Sequence, residues 1–182
     1  MQTPSLNGER YFITFTNELS GRVNINLLKN KDRALASFKA YRSHAEKARG
    51  GTIKALRTNA GGEYLNNEFI GYLVGAGIQH IVSQTYTLTE NSIAERVHRK
   101  ILRGVQCLML DVQSTHGFWG HSVLTAAHIH NRLPSRSHDK ISRMEFWSTN
   151  TRTRGHLRVF GLTVRVHVPK ERRRKLDLKV IR

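Results

Sequence analysis

Residues 11–28, YFITFTNELSGRVNINLL, decide the fold of this chain. The segment at 11–16 is rich in aromatic and β-branched residues, and the segment at 23–28 begins with alternating apolar and polar residues. Both patterns favour β-strands, and the intervening Ser20-Gly21 is a dipeptide typical of a turn. The stretch therefore predicts a β-hairpin.

Helical and strand patterns alternate after the hairpin. Apolar residues at three- and four-residue steps predict a helix over residues 34–45. Residues 53–57 and 78–82 have the composition of strands, and a helix is predicted between them over residues 66–76. This order predicts an α/β domain in which helices cover a mixed sheet.

The second half of the chain begins with a long helical pattern over residues 93–112. A further helix is predicted over residues 118–133, and residues 157–168 alternate as strands do. Residues 169–182 are strongly basic and are predicted to form a tail. We divide the chain into a domain at 1–150 and a basic extension at 151–182.

The net charge indicates the kind of partner. Lys and Arg number 30 against 13 Asp and Glu, which gives a formal charge of +17. Such an excess repels itself unless a polyanion lies nearby, so nucleic acid is the predicted partner. No apolar run approaches the roughly 20 residues that span a bilayer, so no membrane partner is predicted. The single Cys107 excludes an internal disulfide, fits an intracellular compartment and is expected to be a buried thiol.

Several short motifs follow one another along most of the chain. They are LRTNAGGEY at 56–64, YTLTENSIAER at 86–96, FWG at 118–120, TAA at 125–127, NRLPS at 131–135, HLRVFG at 156–161 and VHVPK at 166–170. Together they resemble the integrase core of copia-type long-terminal-repeat retrotransposons. Each motif is weak alone, and their common order makes the resemblance specific.

The resemblance implies a ribonuclease-H-like fold whose central first strand is missing here, a loss expected to destabilise the sheet. It also implies DNA as partner, a homo-oligomer and a nuclear location. The family's reaction uses two Mg²⁺ or Mn²⁺ ions, which three carboxylates hold and which activate water or a DNA 3′-hydroxyl. Hard oxygen ligands suit these ions, and the pair stabilises both the attacking and the leaving oxygen.

The family's three carboxylates are only partly present. Glu95 matches the third, whereas Asn59 stands at the expected position of the second. The first is expected on the missing strand. Glu63 and Glu90 are alternative ligands, but the family carries the former beside an intact site, and the latter is expected to be solvated. We therefore expect metal binding to be weak or lost and the site to be inactive, with Glu95 as the one remaining carboxylate of the three.

Two basic groups are candidate DNA contacts. The first comprises Arg96, Arg99, Lys100 and Arg103 beside Glu95, and its alternative role is a solvated helix face with a Glu95–Arg99 pair worth about 0.2–0.5 kcal/mol. The second comprises Lys170, Arg172, Arg173, Arg174 and Lys175. For this second group a nuclear-import signal, a DNA clamp and a solvated end all remain open.

Three hypotheses of function follow. The leading one is an inactive integrase-derived domain that binds DNA. The second is a metal-dependent nicking or strand-transfer enzyme whose upstream strand is present in the true product. The third is a non-functional transposon relic. Trp119 and Trp147 are expected to be core aromatics in each case.

Overall fold

The computed structural model describes residues 1–83, 92–135, 138–148, 155, 157–163, 166–169, 171, 173–174 and 180–181. Its strands are β1 (Tyr11–Thr16), β2 (Val23–Leu28), β3 (Ala55–Thr58), β4 (Gln79–Val82), β5 (Val166–His167) and β6 (Val180–Ile181). Its α-helices are α1 (Ala34–Arg49), α2 (Asn67–Gly75), α3 (Ser92–Asp111), α4 (Trp119–Arg132) and α5 (Arg143–Ser148).

The predicted hairpin is confirmed. β1 and β2 pair antiparallel, from Tyr11 opposite Leu28 to Thr16 opposite Val23. Asn17 organises the turn, because its backbone N–H donates to the Arg22 carbonyl at 2.9 Å and its side-chain oxygen accepts from the Ser20 N–H at 2.8 Å. A polar side chain that bonds nearby backbone groups is the usual chemistry of such turns.

The first two predicted helices are also confirmed, and local residues explain their ends. α1 ends at Gly50, whose φ of 64° is the left-handed conformation that glycine adopts without strain. α2 begins after Asn66, whose side-chain oxygen accepts a hydrogen bond from the Phe69 N–H at 2.8 Å. This bond satisfies one of the N–H groups that a helix leaves unpaired at its start.

The sheet confirms the predicted α/β class but is divided. β1 pairs with β2 antiparallel and β3 pairs with β4 parallel, in separate two-stranded sheets. The antiparallel and the parallel pairing of a mixed sheet are therefore both present. Among the described residues, no strand joins the two pairs. β5 and β6 form a third antiparallel pair, Val166–His167 with Val180–Ile181.

The hairpin separates two parts of the core. Ile13 and Phe15 face α1 and α2, where Phe38 and Phe69 are fully buried. Val23 and Ile25 belong to the other part, on the side of α3 and α4. Its buried members from those helices are Ile101, Val105, Trp119, Val123, Ala126 and Ala127. Trp119 and Trp147 are 4% and 7% exposed, which confirms their prediction as core aromatics.

The C-terminal predictions need correction. Residues 157–163 contain no strand, because a turn at Phe160–Gly161 interrupts the alternation and Gly161 has a φ of 75°. The segment predicted to be a tail supplies β6, so its apolar end pairs with a strand. The short helix α5 was not predicted. Cys107 is exposed, contrary to expectation, because it faces away from the buried side of α3 that carries Ile101.

None of the described helices is both long and apolar enough to cross a membrane.

Candidate functional site

A cavity of about 790 Å³ lies between the two larger sheets and the start of α3. Its walls include the residues of β1 from Phe12 onward and the whole of β3. Its lining also includes Phe38 and Tyr41 of α1 and Ile93, Ala94, Glu95 and His98 of α3. Strands and helices far apart in the sequence thus converge on one recess.

The structure brings the two predicted site residues to this cavity. Glu95 lies in the first turn of α3, and Asn59 follows the last residue of β3. Both side chains are exposed and line the recess. The Asn59 side-chain oxygen also accepts a hydrogen bond of 3.4 Å from the Gly61 N–H. One carboxylate and one neutral amide therefore occupy the predicted positions.

Two further carboxylates, Glu18 and Glu46, line the cavity. Glu46 is already engaged, because it accepts hydrogen bonds from the Ile53 N–H at 2.9 Å and from Arg42 Nε at 3.0 Å. The Ile53 N–H first and Arg42 second hold the pKa of Glu46 below its usual value. The alternative ligand Glu63 is absent from the lining, and Glu90 lies outside the described residues.

The donor set that the described residues supply at this recess does not fit a two-metal centre. Within the part of the chain that the structure describes, no group of three His, Cys, Asp or Glu side chains converges on a metal position. Two divalent ions require several hard, negatively charged oxygen ligands. Glu95 with the amide of Asn59 supplies a single negative charge, which is too little to hold two divalent ions.

The predicted basic stripe is present on α3. Arg96, Arg99, Lys100 and Arg103 are exposed, whereas Ile101 on the opposite face is 2% exposed. These four residues recur at three- and four-residue steps, so they form one continuous surface beside Glu95. No ion pair joins Glu95 to Arg99 within the described part of α3, which contradicts the paired arrangement considered from the sequence. A long guanidinium side chain at such an exposed position gains too little from pairing to hold one geometry.

The second basic group is only partly described. Lys170, Arg172 and Lys175 lie outside the described residues. Arg173 is half-buried and Arg174 is exposed. The three roles considered for this group therefore stay predictions.

Sequence reasoning missed several residues of the recess. His98 stacks on Phe12 with ring centroids 5.3 Å apart, and desolvation lowers the pKa of His98. Lys54 and Arg57 of the β3 segment also line the cavity. Tyr64 lies at its margin, where burial first and the charge of Glu63 second raise the pKa of this phenol to about 12. No local pattern marks these residues, because only the tertiary fold assembles them.

Comparison with known sequences finds retrotransposon relatives, although no protein-family model matches the chain. The chain is 35% identical over 181 residues to the Retrovirus-related Pol polyprotein from transposon TNT 1-94 of Nicotiana tabacum, which covers 100% of the chain and 14% of the relative. It is 27% identical over 131 residues, 72% of the chain and 9% of the relative, to the Pol polyprotein from transposon RE2 of Arabidopsis thaliana. The chain thus spans about a seventh or less of these relatives.

Comparison with solved structures finds viral integrases. A chain in the structure of the simian T-cell lymphotropic virus intasome in complex with PP2A regulatory subunit B56 gamma has a TM-score of 0.62 at 18% identity. The match covers 87% of this chain and 54% of that chain. The HTLV-2 integrase catalytic core domain in complex with magnesium, in its trimeric form, has a TM-score of 0.52 at 15% identity, over 74% of this chain and 90% of that domain. Its dimeric form has a TM-score of 0.55 at 18% identity, with 74% and 81% covered.

At these identities the structural matches establish the fold, and the retrotransposon relatives establish descent. The chain is a homologue of a segment of copia-type retrotransposon Pol polyproteins and has the ribonuclease-H-like fold of the retroviral integrase catalytic core.

Proposed function

We propose that this integrase-core-like domain binds double-stranded DNA through the basic stripe of α3 and does not catalyse strand transfer. The observation that carries the proposal is the exposure of the whole stripe beside a recess that holds Glu95 but only an amide at position 59. The exposed cations support phosphate binding, and the neutral amide beside Glu95 supports the proposed inactivity.

The physical basis of binding is electrostatic. A cation that neutralises a DNA phosphate releases a condensed counterion, and this release supplies most of the affinity of sequence-independent binding. Arg and Lys at helical spacing can follow successive phosphates without reading base edges. The formal charge of +17 adds long-range attraction for any polyanion. We therefore propose binding with little sequence preference.

The matched solved structures also support the proposal that this domain acts on DNA. One matched structure is an intasome, and another is a catalytic core with magnesium in trimeric and dimeric forms. By extension we propose that this chain also acts as a homo-oligomer on DNA, and that it acts in the nucleus. Magnesium belongs to the matched catalytic core, whereas this chain offers Asn59 where a charged ligand is expected.

A substitution experiment tests the DNA surface. The triple variant Arg99→Gln, Lys100→Gln and Arg103→Gln leaves the buried face of α3 intact. We expect it to weaken binding of a fluorescein-labelled DNA duplex about tenfold or more at low salt. The slope of log affinity against log salt concentration should become shallower by as much as about 2.7, because each of three lost phosphate contacts contributes about 0.9 to it.

The matched control removes the same charge elsewhere. Lys29, Arg33 and Lys47 are exposed and lie outside α3. Their conversion to Gln should weaken binding by less than about threefold, because only long-range attraction is lost. Equal losses in the two variants would show that binding depends on net charge and would refute the assignment to α3.

The alternative of a residual enzyme is tested on supercoiled plasmid with Mg²⁺ or Mn²⁺. We expect no nicking by the chain, because Asn59 adds no charge to Glu95. Nicking that disappears in Glu95→Gln would overturn the proposed inactivity and favour the enzyme. A chain that neither folds cooperatively nor binds DNA would instead favour the relic.

A further inference from the structure

The Asn59 side chain is an amide that hydrolysis converts to a carboxylate. Asn59 and Ala60 are exposed and lie outside every helix and strand, between the end of β3 and the start of α2. Asparagine is among the chemically labile residues of proteins, because the backbone nitrogen of the following residue can attack its side-chain amide carbon. The local structure decides whether that attack is open at a given asparagine.

The attacking atom at this position is the backbone nitrogen of Ala60. Among the described residues, no hydrogen bond engages the Ala60 N–H. The methyl side chain of Ala60 leaves the nitrogen accessible, whereas a β-branched side chain would crowd it. Gly61 and Gly62 follow, and glycine gives the backbone the conformational freedom that ring closure requires.

The amide carbonyl of Asn59 is already polarised. Its Oδ1 accepts a hydrogen bond of 3.4 Å from the Gly61 N–H. Attack on the amide carbon places negative charge on this oxygen, and a hydrogen bond to a charged oxygen is shorter and stronger than one to a neutral oxygen. A backbone N–H aimed at an oxygen that gains charge is the arrangement that lowers the barrier to acyl transfer.

The leaving group is also unhindered. The Asn59 Nδ2 atom makes no hydrogen bond within the part of the chain that the structure describes. The side chain is exposed, so ammonia can pass directly into water. Nucleophile, carbonyl and leaving group at Asn59 therefore all favour the reaction.

Other exposed asparagines lack this combination. Asn7 precedes Gly8, a still smaller residue, but the Gly8 N–H donates to the Ser5 carbonyl at 2.9 Å. The amide of Asn66 donates to the Glu63 carbonyl at 3.1 Å and accepts from the Phe69 N–H at 2.8 Å. Folding thus restrains the reactive groups at Asn7 and Asn66 and leaves those at Asn59 open.

We propose that Asn59 is a site of spontaneous deamidation, which converts it to aspartate or isoaspartate. The Ala60 nitrogen loses its proton to solvent base and bonds to Asn59 Cγ. The Cγ–Nδ2 bond then breaks, and the nitrogen leaves as ammonia. Water opens the resulting cyclic imide at either of its two carbonyl carbons. Opening at Cγ gives aspartate, and opening at the main-chain carbonyl carbon gives isoaspartate. The sum is amide plus water to carboxylate plus ammonium, and nothing is oxidised or reduced.

The conversion changes the charge of the recess. Asn59 and Glu95 both line it, so each converted chain carries a second exposed carboxylate there. This consequence rests on the proposed function, because it makes the neutral amide at position 59 a property of the unconverted chain. Deamidation thereby alters the residue to which we attribute the inactivity.

The direct test is peptide mapping by mass spectrometry of the whole folded chain, held at about pH 8 and 37 °C, beside the same chain in guanidinium chloride. A gain of about 1 Da marks each converted asparagine. We expect conversion at Asn59 in the folded chain. The ratio of its rate to that at Asn7 should be at least about tenfold higher in the folded than in the denatured chain, because only folding holds the Gly8 N–H. No conversion at Asn59 while the denatured chain converts fully, or an unchanged ratio, would overturn the proposal.

Two matched variants test the attacking atom. Ala60→Val should slow conversion of Asn59 at least about tenfold, because a β-branched side chain restricts the backbone and crowds the nitrogen. Ala60→Gly should speed it at least severalfold, because glycine removes the side chain and frees the backbone. Ala60 is exposed, so both variants should keep the circular dichroism of the parent chain. Equal rates in all three chains would exclude the Ala60 nitrogen as nucleophile and would overturn the proposal.

The chemistry at Asn59 is independent of the DNA surface. Ala60→Val changes no charge and lies outside α3, so it should bind the DNA duplex with unchanged affinity. Loss of DNA binding in the α3 triple variant would leave the deamidation standing. Absence of deamidation would leave the DNA proposal standing, with position 59 permanently neutral.

Discussion

Replacement of Asn131 by alanine should destabilise the domain more than its small change in volume suggests. Asn131 is 7% exposed, and its amide bonds both the N–H and the carbonyl of Val23, which is 2% exposed. Alanine leaves these two backbone groups buried without partners. The residue belongs to the NRLPS motif at 131–135, so the prediction also gives part of that motif a physical role.

The magnitude follows from the cost of unsatisfied groups. Each buried backbone donor or acceptor left without a partner costs about 1–3 kcal/mol. Asn131→Ala leaves two such groups, and small local movements let them recover part of their hydrogen bonding. We therefore expect the variant to lose about 3 kcal/mol in the free energy of unfolding. The Asn26 amide provides a comparison, because it donates at 2.7 Å to the Ser37 hydroxyl in a half-buried position that water can reach. Asn26→Ala should cost about 1 kcal/mol.

Urea denaturation followed by circular dichroism measures both values. We expect the two variants to differ clearly in the free energy of unfolding, while the dependence of that free energy on urea concentration stays unchanged. A loss in Asn131→Ala that is no larger than that in Asn26→Ala would refute the argument that this side chain closes the edge of β2.

Three further outcomes are expected. Burial first, and then the charges of Arg143 and Lys100, lower the pKa of His130 to about 4. As the pH falls, this imidazole is therefore protonated in the unfolded chain at a higher pH than in the folded protein. Stability should fall as the pH drops from 6.5 towards 4, by about 2 kcal/mol at pH 5 by urea denaturation, and a His130→Gln variant should lack this dependence. Asn59→Asp should tighten Mg²⁺ binding about tenfold by calorimetry, and an added Glu95→Gln should cancel the gain. Gly161→Ala should lower the thermal midpoint by several degrees, because its Cβ would lie 2.8 Å from that of Val112 at a φ of +75°.

The hairpin and the first helices could be predicted from local pattern alone. The alternation at 11–16 and 23–28 and the apolar period after residue 34 depend on neighbours in the sequence. The helix α5 could not, because a six-residue element is too short to show a period. Its Trp147 is held by Arg22 and Arg49, residues about a hundred positions or more away.

Two positions that line the recess were named from the sequence, but the shape of the recess and its other lining residues were not. The motifs at 56–64 and 86–96 identified positions 59 and 95, and the fold places both at one cavity. The recess itself could not be foreseen, because a strand pattern does not reveal which elements from distant parts of the sequence will pack around a strand. The alternating pattern that begins at residue 157 likewise predicted a strand where the structure has a turn at Phe160–Gly161.

The most direct test of the central claim is the anisotropy of a labelled DNA duplex with the unmodified chain across a salt series. If Arg99, Lys100 and Arg103 each meet a phosphate, micromolar or tighter affinity at low salt should fall with a log–log slope at least as steep as about −2.7. Little binding at low salt, or binding that salt does not weaken, would contradict the claim that this domain binds DNA through its basic stripe.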